Sequence, residues 1–206
     1  SVSSPYGEEC RELFEPKLGQ EQVGVDACGL ELRCLGHYLA PYDDGVYADT
    51  VINGDIHTHN QQLAGLPTRN NAKTFIYGYL YGAGDAKIGR IIKGSKQEGA
   101  KIKRTFSKGL PALAMLKKDI TNALAETDKG RVKKWKRRYL KGLDGRLLYV
   151  RSLHSALNLL LQSAGALICK KWIVLTEKKL VEDYKLVHGK DFSFMAWVHK
   201  SLCTLN

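Results

Sequence analysis

The chain has little of what usually announces a protein class. Five prolines and two methionines are spread over 206 residues, with no internal repeat and no low-complexity segment. That argues against a repeat array or a long unstructured linker. Its cysteines, Cys10, Cys28, Cys34, Cys169 and Cys203, are odd in number and never spaced C-x-x-C. This excludes a fully paired disulfide framework and reads as reduced thiols in a cytosolic setting. The longest uncharged apolar run, Leu157 to Cys169, is closed by Lys170 and Lys171 and is too short to span a bilayer. The N-terminal stretch is polar and acidic, without a secretory pattern, and it starts at Ser1 rather than Met, so an upstream part is expected. Nucleotide-loop glycines fail as well. Gly82-Ala83-Gly84 meets Lys87 where a third glycine should stand, and Gly84 to Gly89 is followed by Arg90-Ile91 rather than Lys-Ser/Thr.

Charge is abundant but uneven. The net is +11, made of −8 over residues 1–60, +15 over 61–141 and +4 over 142–206. A strongly basic middle joined to an acidic start suggests a polyanion partner on one part and a carboxylate cation site on the other. Nucleic acid fits that balance better than a membrane. Within the basic part, eight cations fall in residues 129–141, with Trp135 and Tyr139 among them. The plain account is a solvated hairpin, while interleaved aromatics favour nucleic-acid backbone.

In "RNNAKTFIYGYLYGAGD", Arg69, Lys73, Tyr77 and Tyr81 lie four apart. Steps of four advance about 40° past a full turn, so the four side chains form one slowly drifting stripe. Thr68 after Pro67 is the N-cap, and Gly82 and Gly84 supply the left-handed stop, which predicts a helix from about Thr68 to Tyr81. The stripe is a solvated basic turn with two packing aromatics, or a polyphosphate site with a flat group resting on the phenols.

Elsewhere, "QVGVD" at 22–26 predicts a short strand ending on an acid, and "GLELRCLGHYLA" a helix with Leu30, Leu35 and Leu39 inward. Residues 53–66 lead into the basic helix. Residues 86–126 read as helical, with Pro111 opening the second of two helices. Leu143-Asp144-Gly145-Arg146 is a D-G hairpin turn, 153–182 the longest helix, and "FSFMAWVH" a strand. Asp55, His57 and His59 alternate and would face one way if extended. A metal cluster there lacks further ligands, and a phosphate contact from His57 is the better use.

The order of these motifs carries more than any one of them: "VDACGLELR", "DIHTHN", R-x3-K-x3-Y-G, "RSLHSALNLLLQSAGA" and a segment ending "WVH". Together they resemble the family A, DNA polymerase I-like, DNA polymerases, most closely those of small lytic bacteriophages, over nearly the whole chain. The resemblance implies an α+β fold: mostly helical fingers on a small antiparallel palm sheet, an incomplete right hand. Residues 1–60 would be a palm segment with the first catalytic motif, 61–141 fingers and the start of the basic hairpin, 142–199 the palm return, and 200–206 a tail unlike the family.

Carried over residue by residue, Asp26 matches the metal-binding acid, with the Ala27 carbonyl beside it, for a two-ion Mg2+ site. Glu31 matches the residue that closes off the sugar 2′ side. His57, Arg69 and Lys73 match the triphosphate contacts, Lys73 also serving catalysis, and Tyr77 the ring against the incoming sugar and base. Tyr81 and Gly82 match the contact with the templating base, Arg151, Asn158 and Gln162 the primer-template minor groove, and His199 the primer end. Lys200 and Ser201 stand where the family continues with an acidic pair, which leaves the metal site incomplete and implies a chain inactive alone. The implied partners are primer-template DNA and deoxynucleoside triphosphates, together with a separate C-terminal palm piece and a processivity factor. The implied location is the cytoplasm of a bacterial host. Two other readings compete: a non-catalytic nucleic-acid-binding remnant, and a single-subunit RNA polymerase relative, against which Glu31 argues.

Overall fold

Leucines and isoleucines three and four apart make most of this chain helical in its computed structural model, which describes residues 5–15, 18, 24–129 and 131–188. The order is α1 (Glu9–Glu12), α2 (Leu30–Asp43), α3 (Val46–Asn53), α4 (Ile56–Ala64), α5 (Arg69–Leu80), α6 (Asp85–Ile91), α7 (Lys96–Gly109) and α8 (Pro111–Leu124). Two hairpins follow, β1 (Ala125–Asp128) with β2 (Arg131–Trp135) and β3 (Tyr139–Lys141) with β4 (Leu147–Tyr149), and then α9 (Leu153–His188). The fold is α+β, mostly helical, with two two-stranded antiparallel sheets among the described residues.

One apolar core joins Leu32, Leu35 and Leu39 of α2, Phe75 and Ile76 of α5, Phe106 of α7, Leu113 and Leu124 of α8, and Leu157 and Leu161 of α9. Each such side chain contributes about 1.5–3 kcal/mol by leaving water. Phe75, Tyr79 and Phe106 form a tilted and edge-to-face trio with centroids 5.1–5.5 Å apart. Helix α5 buries Ala72, Phe75, Ile76, Tyr79 and Leu80. That burial fixes the rotation of the helix and turns Arg69, Lys73, Tyr77 and Tyr81 toward the opposite side. Helices α6 and α7 pack so closely that a Cβ on Gly99 would overlap the Asp85 carbonyl and the Gly89 nitrogen.

Several expectations change. Residues 24–26 form no strand, because no strand among the described residues lies alongside to complete a ladder. Residues 46–64, left without an element by the sequence reading, form α3 and α4. The stretch from 86 holds three helices rather than two: Ser95 caps α7 through a capping box with Glu98, splitting it from α6. Pro111 does open α8, and Ala125 begins a strand where a helix was expected. Gly82 is left-handed at φ 76°, whereas Gly84 has φ −67° and serves as the N-cap of α6. Leu30 packs against the core as expected, partly buried, and Leu32 joins it fully buried. The D-G turn sits between β3 and β4 as expected. The segment "FSFMAWVH" lies outside the described residues.

Helix α9 is long and apolar enough, over Leu153–Asp183, to cross a membrane by length and composition alone. Its first half instead turns Ala156, Leu157, Leu160, Leu161 and Ala164 into the core.

Candidate active site

The helix starts at α4 and α5 are built by side-chain caps and then tied together. Thr68 accepts from the Asn71 backbone N–H at 3.1 Å, and Asp55 accepts from the N–H groups of His57 and Thr58 at 3.1 and 3.3 Å. The same Asp55 carboxylate takes two hydrogen bonds from Arg69, Nε at 2.7 Å and Nη2 at 3.0 Å, and one from the Thr58 hydroxyl at 2.7 Å. Arg69 first, then Thr58, holds the Asp55 carboxyl far below the usual carboxylate range. Both partners remain about half exposed, at 55% and 46%, so the pair adds little to stability. Its importance is that the first cation of the stripe is already engaged.

The alternation of Asp55, His57 and His59 is therefore not extended; it is the N-cap and first turns of a helix, and the three side chains diverge. His59 turns its ring to Tyr47, with centroids 6.3 Å apart, and His57 tilts toward Tyr77 at 6.5 Å. The His57 Nδ1 is buried without a hydrogen-bond partner. Burial chiefly, with Arg69 next and Lys73 adding against the opposing pull of Asp55, lowers the imidazole below its usual pKa. The ring is thus mostly neutral at pH 7 and borders the two cations of α5.

At the other end of the stripe, Tyr81 joins three elements. Its hydroxyl donates to Glu31 Oε1 at 3.2 Å and accepts from Gln162 Nε2 at 2.7 Å. The end of α5, the first turn of α2 and the second turn beyond the start of α9 meet at one oxygen. Burial first and then the Glu31 carboxylate raise the Tyr81 phenol, with Gln162 opposing. Burial, Glu31, Cys28 and Asp26, in that order, raise the half-buried Tyr77. Both acids therefore lie within electrostatic reach of the stripe. Gly82 turns the chain next to His154, whose ring would stand 3.7 Å from a Cβ there.

The structure brings together Asp26, Glu31, His57, Arg69, Lys73, Tyr77, Tyr81 and Gln162 along one side of α5. Asn158 lies one turn before Gln162 on the same helix, and Arg151 is exposed just ahead of α9. His199 falls outside the described residues, as does Lys200. The basic run is divided between the two hairpins, with Arg138 over the Trp135 ring at 4.4 Å and Arg137 over Tyr139 at 5.7 Å. Asp55 is the contributor whose role the sequence reading missed. Its signal was an acid two residues before a His on the first turn of an unrecognised helix.

As donors for a metal, Asp26 is exposed and Ala27 offers a carbonyl, and no group of three His, Cys, Asp or Glu among the described residues could hold an ion. One carboxylate does not make a two-ion site. The arrangement suits an anion with several phosphates better. One guanidinium and one ammonium sit at one end, a neutral imidazole beside them, and a pair of phenols with a carboxylate and an amide at the other.

Residues 1–204 match the model for DNA polymerase family A. The chain is 53% identical to a DNA-directed DNA polymerase of Enterobacteria phage T3, and equally to one of Escherichia phage T7, across 98% of its own length. A DNA-directed DNA polymerase of Escherichia phage Phieco32 is 38% identical over 78% of the chain. The chain spans about 30% of the length of these relatives.

Proposed function

Because this chain belongs to DNA polymerase family A, we propose that it is the fingers and part of the palm of a phage replicative polymerase, which extends a primer with deoxynucleotides along a DNA template. The observation that supports this best is the Gln162–Tyr81–Glu31 chain of hydrogen bonds at the foot of the α5 stripe. It sets a carboxylate, a phenol and an amide where a sugar and a base would meet the phosphate-binding cations. Arg69, Lys73 and His57 take the triphosphate. Its charge resists the approach of a primer oxygen, and Lys73, with no ion pair among the described residues, is the cation that offsets charge at the reacting phosphate. Tyr77 packs on the incoming sugar and base. Glu31 stands against a ribose 2′ hydroxyl. Tyr81 and Gly82 meet the template base, and Arg151, Asn158 and Gln162, with His199 beyond the described part, meet the duplex.

The cofactor in this proposal is Mg2+, to which the chain brings Asp26 and the Ala27 carbonyl. Bound ions would supply charge stabilisation of the attacking and leaving oxygens. Since no group of three His, Cys, Asp or Glu gathers around an ion position among the described residues, no catalytic step runs through the metal on these residues alone. Primer-template DNA and deoxynucleoside triphosphates are the proposed substrates, and a separate palm piece and a processivity factor the proposed partners. The alternative, a nucleic-acid-binding remnant without chemistry, draws on that same lone carboxylate.

Binding separates the assigned roles. A charge-assisted contact contributes about 1.5–3 kcal/mol, so Lys73→Ala in this chain is expected to weaken a deoxynucleoside triphosphate by about tenfold or more in calorimetric titration. Affinity for single-stranded DNA should stay within about twofold, since one of many phosphate contacts at most is touched. Loss of DNA affinity with triphosphate binding unchanged would overturn the assignment.

A further inference from the structure

Tyr79 lies two residues past Tyr77, about 200° around the helix, on the side of α5 turned away from the stripe. A cavity of about 570 Å³ opens there, lined by Tyr79 of α5, Asp85 of α6 and Lys103, Arg104, Ser107 and Lys108 of α7. We propose that this cavity is a second anion site, which holds a backbone phosphate of single-stranded DNA.

The sequence of α7 makes the cavity basic. Gly99, Ile102 and Phe106 are buried against the core, and the positions between them, 103, 104, 107 and 108, recur at helical spacing and face the cavity. The one lining acid is occupied, because Lys103 pairs with Asp85 at 2.9 Å. Arg104 and Lys108 have no ion-pair partner among the described residues. A further cation backs the floor: Lys117 of α8 lies 4.0 Å above the Tyr79 ring and donates to its hydroxyl at 2.8 Å. That hydroxyl is 3.1 Å from Ser107 Oγ. Three cations against one carboxylate line the space, and the Tyr79–Ser107 hydroxyl pair at its base keeps one O–H to donate.

Position selects the ligand. Lys103 also donates to the Ala83 carbonyl at 3.1 Å, which binds the rim of the cavity to the Gly82-Ala83-Gly84 turn. A strand that passes Tyr81 and Gly82 leaves over that turn and arrives at Arg104 and Lys108. The inference rests on the reading of Tyr81 and Gly82 as the template contact. Tyr79 is only 8% exposed, so the site offers no face for a base to stack on. It grips backbone without reading sequence.

The test is a salt series of fluorescence anisotropy titrations with a labelled oligothymidylate on the 206-residue chain. The variants are Arg104→Ala/Lys108→Ala and, as a control on exposed positions of α9, Lys170→Ala/Lys171→Ala. Alanine is the best helix former, so both helices are preserved. Each phosphate neutralised on a single strand contributes about 0.7 to the slope of log affinity against log salt, so the cavity variant, which gives up one phosphate, should lose about 0.7. The control should keep the wild-type slope. An unchanged slope in the cavity variant, or an equal loss in the control, overturns the site while leaving the polymerase reading in place. Failure of the wild-type chain to bind the oligonucleotide overturns both. A glutamate-rich peptide that loses binding in the cavity variant while DNA does not would show an acidic protein segment as the occupant, and would also overturn the proposal.

Discussion

Asp55 and His57 show how much one helix start can hold. The Asp55 carboxylate caps α4 and at the same time receives the side-on edge of Arg69, using Nε and one Nη. The outer edge of the guanidinium keeps its remaining N–H groups for a ligand. An incoming polyphosphate must share or displace that pairing, so Arg69 favours ligands of high negative charge. His57 senses the same event. In the free chain its pKa is depressed by burial and then by Arg69, with Lys73 adding to it. For stability the sign follows directly. The unfolded imidazole titrates at about 6.5 and the folded one below it, so the unfolded chain takes up the proton first as pH falls. His57 thus withdraws stability below about pH 6.5 and is neutral in both states well above it. For binding the sign reverses. A triphosphate cancels the field of Arg69 and Lys73 and raises the pKa of His57, so binding takes up a proton and tightens as pH falls. Calorimetry near pH 6.5 in two buffers of different ionisation enthalpy is expected to show net proton uptake, with less uptake in His57→Gln. Equal uptake in both would assign the proton to the ligand alone.

Among the elements, α5 is the organiser, and its two sides explain why its sequence looks mixed. Ala72, Phe75, Ile76, Tyr79 and Leu80 are spaced for burial and the residues between them for display. The composition alone, with a low share of strong helix formers, would not hold an isolated helix of twelve residues; packing against Phe106 and Ile88 does. The α6–α7 corner is equally constrained. Gly99 has no room for a Cβ beside the Asp85 carbonyl, and backbone cannot yield there as a flexible side chain would. Gly99→Ala is expected to destabilise the chain by about 3 kcal/mol, despite alanine's better helix propensity. A chemical-denaturation midpoint equal to wild type would show that the corner relaxes at no cost.

At the scale of the whole molecule, the proposed metal site is where the polymerase reading is most directly tested. With no metal-holding group around Asp26 among the described residues, and Lys200 where the resemblance implies an acid, the chain is expected to extend no primer alone. Supplying a family-type palm segment that begins at the acidic pair should restore magnesium-dependent synthesis. Robust extension by the chain alone, abolished by Asp26→Ala, would refute this. Much of the architecture was legible in local pattern. The caps and stripe of α5, the proline start of α8, the Asp144-Gly145 turn and the long α9 all follow from backbone preferences acting within a few residues. So was the family, since its motifs recur in order along the chain. Other features needed the third dimension. The Asp55–Arg69 pair spans 14 residues, the Tyr81–Glu31 bond 50 and the Gln162–Tyr81 bond 81, and the cavity draws its lining from three helices. A side chain's local sequence fixes which face of its helix it occupies. Which distant group meets that face is decided only when the buried sides of α2, α5 and α9 pack together, because that packing alone sets the distance across which a hydrogen bond either forms or does not.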